Sequence, residues 1–330
     1  MATLGTNVAT LADFAKRLDP NGKVDVIVEM LSETNEVLDD MLFVEGNLPT
    51  GHKTTIRSGL PSATWRKLNY GVQPSKSETV QVTDTCGMLE AYAEVDKMLA
   101  DLNGNTAAFR LSEDQAFLES MNQSMASGLF YNDTDVDPEK FMGLGPRFDD
   151  LSAENGANII SAGGSGSDNH SIWLVAWGAN TVHGIFPKGS KAGFQHQDLG
   201  EVTLEDANNG KYQGYRTHYK WDIGLCVRDW RYVVRIANID SSDLTKDASA
   251  GADLIDLMVQ AVEMLPSQSL GRPVFYCNRT IRSFLRRQIT NKDNVRLSLD
   301  EVAGKKVVTF DGIPVRRCDG LLNGTEATIS

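Results

Sequence analysis

Residues 53–74 read KTTIRSGLPSATWRKLNYGVQP. The stretch is basic and carries Trp65 and Tyr70. It opens on the β-branched run Thr54-Thr55-Ile56-Arg57 and is followed by a second, Thr79-Val80-Gln81-Val82-Thr83. Gly59, Pro61, Gly71 and Pro74 fall between the two runs. Strand-forming ends around a middle punctuated by Gly and Pro predict a long hairpin over 50–83 with an irregular tip. No third strand adjoins it in sequence. An aromatic, uncovered hairpin is a liability on a monomer and makes sense when a neighbouring molecule covers it.

Charge sharpens this reading. The chain of 330 residues carries a net charge of −12, with 32 Lys and Arg against 44 Asp and Glu. Within 53–82 stand Lys53, Arg57, Arg66, Lys67 and Lys76 against Glu78 alone. The segment is therefore +4 and the remainder −16. A basic arm on an acidic body complements a second copy of that body. Aromatic and Arg side chains are the usual interface anchors, so Arg57, Trp65, Arg66, Lys67, Tyr70 and Lys76 are the candidate intersubunit residues.

Composition places the chain among folded, globular proteins: 41% hydrophobic and 23% charged. An acidic balance disfavours general nucleic-acid binding. Cys86, Cys226, Cys277 and Cys318 are scattered, with no knuckle or redox spacing, which fits a reducing compartment. There is no secretory h-region and no run of eighteen apolar residues, so the expectation is a soluble, cytoplasmic protein.

Outside the hairpin, periodicity gives a coarse map. Residues 6–18 and 24–31 read as short helices, followed by a turn or two over 35–42. Residues 88–128 read as helix, broken near Leu102-Asn103-Gly104-Asn105, with Phe117, Met121 and Met125 on one face and Gly128 as a stop. Strands follow over 170–177, 182–186, 215–227 and 230–239. Thr217, Tyr219, Trp221, Ile223, Leu225 and Val227 alternate with His218, Lys220 and Asp222, the mark of a half-buried antiparallel strand. Residues 250–265 return to helix. Pro273–Cys277 is a short strand, and Asn278 caps a helix running to Ile289. A hairpin around Asp311-Gly312 closes the pattern.

The motifs that carry chemistry fail one by one. AGGSGSDNH, residues 162–170, has the glycines of a phosphate loop without its GxxxxGK[ST] or GxGxxG spacing, and reads as a flexible surface loop. Asp133, Asp135 and Asp137 mimic the start of a calcium loop, but Pro138 and Leu144 occupy positions that need Gly and Glu. The Asn-x-Ser/Thr sites at Asn132, Asn169, Asn278 and Asn323 mean nothing without a secretory route. No histidine sits at metal or triad spacing, and the residues that an enzyme reading would use are His183, His196 and nearby acids. Residues 272–296 are strongly basic, with Arg279, Arg282 and Arg286 on one helix face. A single arginine stripe reads first as a solvated or partner-facing face, with nucleic acid as the alternative.

Taken in order, an arm, a basic hairpin, a long helix ending in SGLFYND (127–133) and a mixed α/β region resemble the major capsid proteins of tailed bacteriophages with the HK97-like fold. TTIRSGLPSATWRKLNYGVQPSKS (54–77), FMGLGPRF (141–148) and GLCVRDWRYVVRIANID (224–240) look like the coat proteins of a group of short-tailed phages that includes the Bordetella phages. The resemblance implies an α+β fold with four parts. These are an N-terminal arm over 1–46, an extended E-loop over 47–84, a P-domain with a spine helix over 85–150, and mixed A-domain and P-domain elements over 151–330. The last part holds long strands at 215–239 and A-domain helices near 250–265 and 279–290. One departure stands out. The unit VFYCNRTIRSFLRRQ (274–288) follows the long strands, whereas the usual order has it before them, so rearranged connectivity after residue 150 is expected.

The implied function is structural: self-assembly into an icosahedral shell around double-stranded DNA. The subunits would form pentamers and hexamers, with scaffolding, portal and cement proteins as partners. The shell forms in the host bacterial cytoplasm and becomes part of the virion. No catalysis, cofactor or metal is implied, nor any membrane contact. The Arg279, Arg282 and Arg286 face would meet the capsomer or DNA. The Lys and Asn of the type member's crosslink map onto nothing here, so no covalent crosslink is expected.

Overall fold

The computed structural model describes residue 9 and residues 33–330, apart from 105, 207, 247, 291–296 and 303–304. The two helices expected within the first 32 residues lie outside the described residues. A short helix, α1 (Val37–Asp40), and strand β1 (Phe43–Glu45) lead into the hairpin. Its arms are β2 (Gly51–Gly59) and β3 (Glu78–Asp96), antiparallel from Gly51↔Thr85 to Gly59↔Glu78 with a bulge between Arg57 and Gly59.

β3 corrects the helical expectation for 88–101. The strand continues through Asp96 and pairs with a later strand over Cys86–Asp96. Met88, Leu89, Glu90, Ala91 and Met98 favour helix by propensity. Yet Leu89, Ala91, Ala93 and Val95 alternate inward while Met88, Glu90 and Tyr92 face out, and tertiary packing decides. Only α2 (Lys97–Ala100), capped by Asp96, is helical here.

The spine helix α3 (Thr106–Tyr131) runs three residues past the expected stop at Gly128. Gly128 lies inside the last turns, where a Cβ would meet the Asn132 side chain at 2.6 Å. Met121 and Met125 are buried as expected, and Leu118 turns outward. The far end of α3 packs Met125, Ala126, Leu129 and Phe130 onto one face of the sheet.

After β4 (Ile159–Ser161) come β5 (Asn169–Trp177), β6 (Val182–Phe186), β7 (Gln195–Glu205), β8 (Lys211–Val227) and β9 (Val233–Asp240). Then follow α4 (Leu254–Met264), β10 (Arg272–Cys277), α5 (Arg279–Thr290), β11 (Leu297–Val302), β12 (Lys305–Phe310) and β13 (Ile313–Arg317). Asp311 and Gly312 take φ of 52° and 80° at the β12–β13 turn, the positive values that a tight hairpin turn needs. Among the described residues the strands form one mixed sheet, β11-β12-β13-β10-β5-β6-β8-β3-β2, with β1 on β6, β7 on β8, and β9 between β4 and β5.

β5 lies at the centre and is buried throughout. Trp173, Val175 and Trp177 face α3, while Ile172, Leu174 and Ala176 face α4 and α5. The β10–α5 unit follows the long strands β8 and β9, as the sequence order has it. The glycine-rich stretch 162–170 differs from the free loop expected of it. Gly164 donates to the Asn238 carbonyl at 2.9 Å, and a Cβ there would lie 2.5 Å from that oxygen. Gly164 serves close backbone approach, while Gly163 takes a φ of 82° in open space.

Candidate assembly interface

The hairpin tip is built to be uncovered. Every residue from Leu60 to Gln81 is exposed. Trp65 is 100% exposed, Leu68 88%, Leu60 81% and Tyr70 71%. Arg57, Arg66, Lys67 and Lys76 are exposed as well, and none has an ion-pair partner among the described residues. All six candidate interface residues therefore lie exposed on one hairpin, and none forms an ion pair with the rest of the described chain. The tip still has local order. The Ser75 hydroxyl bridges to the Ser62 carbonyl at 2.9 Å, and the Tyr70 amide closes a turn on Lys67 at 3.2 Å with Asn69 at φ 66°.

At its root the hairpin is tied tightly to the body. The Asn47 side chain accepts from the Lys53 amide and donates to its carbonyl, both at 2.7 Å. Buried Asp84 on β3 takes an ion pair from Arg147 at 2.8 Å. Arg147 also donates to the carbonyls of Gly143 and Leu225 at 3.2 Å each. It belongs to FMGLGPRF, which sequence reading singled out only by resemblance. That phrase packs against SGLFYND: Leu144 donates to Leu129 at 2.9 Å and Gly143 to Asn132 at 2.8 Å. Gly143 and Gly145 permit the contact, since a Cβ on either would lie 2.9 Å or 2.6 Å from a backbone oxygen.

The second basic feature is the α5 stripe. Asn278 accepts from the Ile281 amide at 2.9 Å and caps the helix as expected. Arg279, Arg282, Ser283, Arg286 and Arg287 line a cleft of about 480 Å³ with Arg317. Asp319 lies near it, paired with Arg317 and with Arg279 at 3.4 Å. Burial opposes its charge, but the bonds from Arg317 and the Thr34 amide hold its carboxyl below the usual range.

The residues of the enzyme reading do not come together. His183 pairs across to Cys226 and His196 to Tyr219, seven positions apart on β8, roughly 20 Å at strand rise. His196 stacks on Tyr219, and His183 instead meets His52, ring centroids 5.9 Å apart. Asp133 and Asp137 are engaged by their own turn, Asp133 by the Asp135 amide at 2.8 Å and Asp137 by Lys140 at 2.6 Å.

A long spine helix across a mixed sheet, with an outstretched, uncovered basic hairpin, defines a coat subunit made to meet its own copies. The chain belongs to the Major capsid protein GP7 family, whose model matches residues 19–330. Its structure is similar to that of bacteriophage Epsilon15, with a TM-score of 0.78, 45% identity and 100% of each chain covered. The bacteriophage JBD30 capsid aligns at TM-score 0.48 and 9% identity, over 88% of this chain and 92% of that one. The SrpI encapsulin of Synechococcus elongatus PCC 7942 aligns at 0.45 and 10%, over 70% and 97%. These last two likenesses are too distant to carry an argument. A search of curated proteins finds no match. The chain is thus a major capsid protein of the HK97-like fold, which assembles as a shell in the phage virion.

Proposed function

We propose that the chain fills both pentameric and hexameric positions of a closed icosahedral shell around double-stranded DNA, which it holds without sequence-specific contacts. The observation that carries the reading is Trp65, fully exposed beside Arg66 and Lys67 at the end of a hairpin rooted firmly in the body. In this reading residues 47–84 form the E-loop and lie over an adjacent subunit, with Arg57, Trp65, Arg66, Lys67, Tyr70 and Lys76 as anchors. Residues 1–46 reach a neighbour, 85–150 form the P-domain around the spine helix, and 151–330 supply the A-domain with the remaining P-domain strands. The Arg279, Arg282 and Arg286 face meets an acidic surface of a neighbouring subunit, a choice favoured by the net charge of −12. The subunit acts by association and catalyses nothing. Scaffolding, portal and cement proteins are its partners during assembly in the host cytoplasm.

The test is negative-stain microscopy and sedimentation of the chain expressed alone and with the phage's other structural proteins. Shells, tubes or capsomer rings from the wild type are expected. Their loss in Trp65→Ala/Arg66→Ala, with the subunit still folded, assigns the contact. A small oligomer that never assembles in either setting overturns the reading. If Arg282→Glu/Arg286→Glu assembles normally but packages less DNA, the arginine cleft belongs to nucleic acid instead.

A further inference from the structure

Four strands meet where the hairpin leaves the body, and each contributes one residue at the same level. His52 on β2 pairs with Asp84 on β3, and His183 on β6 pairs with Cys226 on β8. The β3–β8 register, Cys86 opposite Gly224, sets Asp84 level with Cys226. In a flat sheet His52 and His183 would be three strands apart, about 14 Å. The sheet instead curls back on itself. β1 runs along β6, Gly46 donates to Phe186 at 2.8 Å, and Lys188 donates to Leu48 at 3.2 Å. The turn into β2 thereby returns His52 to His183, their rings edge to face at 78°.

One nitrogen each of His52 and His183 and the Cys226 Sγ lie within 4.8 Å of one another. His183 is 1% exposed, and neither of its ring nitrogens has a hydrogen-bond partner. The Gly178 carbonyl lies near the ring without forming a hydrogen bond to it. Asp84 is buried beside Cys226, whose thiol lies against its carboxylate, and Asp84 Oδ2 makes no bond of full hydrogen-bond geometry. Buried, unsatisfied polar atoms of this kind cost stability unless something completes them. The nearby cations are already engaged: Arg147 by Asp84 and the Leu225 carbonyl, Arg228 by Ala179 and Asn180.

We propose that this cluster is a structural zinc-type metal site that fastens the root of the hairpin to the body. Two imidazoles and a thiolate form a borderline-soft donor set suited to tetrahedral Zn(II). Asp84, which lies beside Cys226 but outside the close group of three, completes the set through a bound water. Tetrahedral bonding brings donor atoms to about 3.5 Å apart, so the side chains close in by about 1 Å. Binding releases the Cys226 thiol proton to solvent. His52 exchanges a 3.3 Å bond from the Asn47 amide to its Nδ1 for the metal. It is half-exposed and provides the way in.

The experiment is titration of the chelator-stripped, full-length subunit with Co(II), then displacement by Zn(II). One equivalent per chain is expected, with a thiolate-to-cobalt charge-transfer band and the intense visible bands of a tetrahedral ion. Cys226→Ser abolishes the charge-transfer band, and His52→Gln weakens binding at least tenfold. Zn(II) at a hundredfold excess over its Kd raises the wild-type Tm by about 4 °C. A folded wild type that shows no thiolate band overturns the site. So does a band that persists in Cys226→Ser. Should Cys226→Ser fail to fold, His52→Gln decides, because its half-exposed ring makes it the mildest replacement: undiminished affinity there also overturns the site.

Discussion

Arg235 on β9 and Glu326 near the C-terminus meet at 3.0 Å, with side chains only 6% and 3% exposed. Arg235 also donates to the Phe148 carbonyl at 2.7 Å and the Ser171 hydroxyl at 3.1 Å, and lies over the Trp173 ring. Glu326 accepts from Tyr131 at the end of the spine helix and from Ser171. The pair therefore joins the sheet, the spine helix and the C-terminal segment. Glu326→Ala strands a buried guanidinium. A loss of about 3–5 kcal/mol is expected in urea denaturation of the unassembled subunit. Glu326→Gln, which keeps the side chain's volume and one acceptor oxygen where Glu326 uses two, is expected to cost less.

Gly145→Ala places a methyl 2.6 Å from the Phe130 carbonyl. Backbone must move, at a cost of about 2 kcal/mol or more. Gly71→Ala at the hairpin tip meets nothing within 4 Å. It is expected to change stability by less than about 0.5 kcal/mol. Paired thermal melts separate the two.

Assembly is expected to be salt-sensitive. The exposed cations of the tip act through solvent, where a Debye length of about 8 Å applies at physiological salt. Arg66→Glu/Lys67→Glu is expected to slow shell formation severalfold in light scattering, leaving the Tm of the free subunit unchanged. Raising salt slows the wild type and has less effect on the variant.

Metal-free protein is expected to lose stability in mild acid. Burial, then the charges of His52 and Arg228, bring His183 from 6.5 down to about 4. Burial lowers His170 as well. Between those values the unfolded chain binds a proton that folded His183 refuses, so stability rises with pH across the window. It is complete above 6.5 and falls as pH drops towards 4, by about 3 kcal/mol at most from His183. Melting curves in chelator from pH 7 to pH 4 measure the loss, and His183→Gln is expected to flatten part of it.

Much of the architecture was legible because its patterns are local. The alternation of Thr217 through Val227 gave β8, the Asp311-Gly312 turn gave the last hairpin, and Asn278 marked the start of α5. β8 proved half-buried only in part, since both faces are covered from Asp222 onward. The extent of β3 was hidden by residues whose intrinsic preference is helical, and only the strand beside it overrides that. β7 escaped notice because its residues are mostly exposed on both faces, so it lacks an apolar period. The tip residues were legible from charge and composition, being uncovered. Arg147 and Asp84, which hold the root, were not. Nor were His52, His183 and Cys226, because a curl of the sheet brings them together from distant stretches of the chain.

β3 runs unbroken for 19 residues, from the outstretched hairpin to the middle of the sheet. It is hydrogen-bonded to β2 along one half and to β8 along the other. Tension applied at Trp65 thus pulls along the strand. The irregular tip, residues 60–77, straightens first, and the load then reaches the bonds from β3 to β8 together, in shear. In the assembly proposed above, a neighbour that grips the tip pulls on the sheet core of the subunit that owns the hairpin, so that the coat would share strain as a continuous fabric.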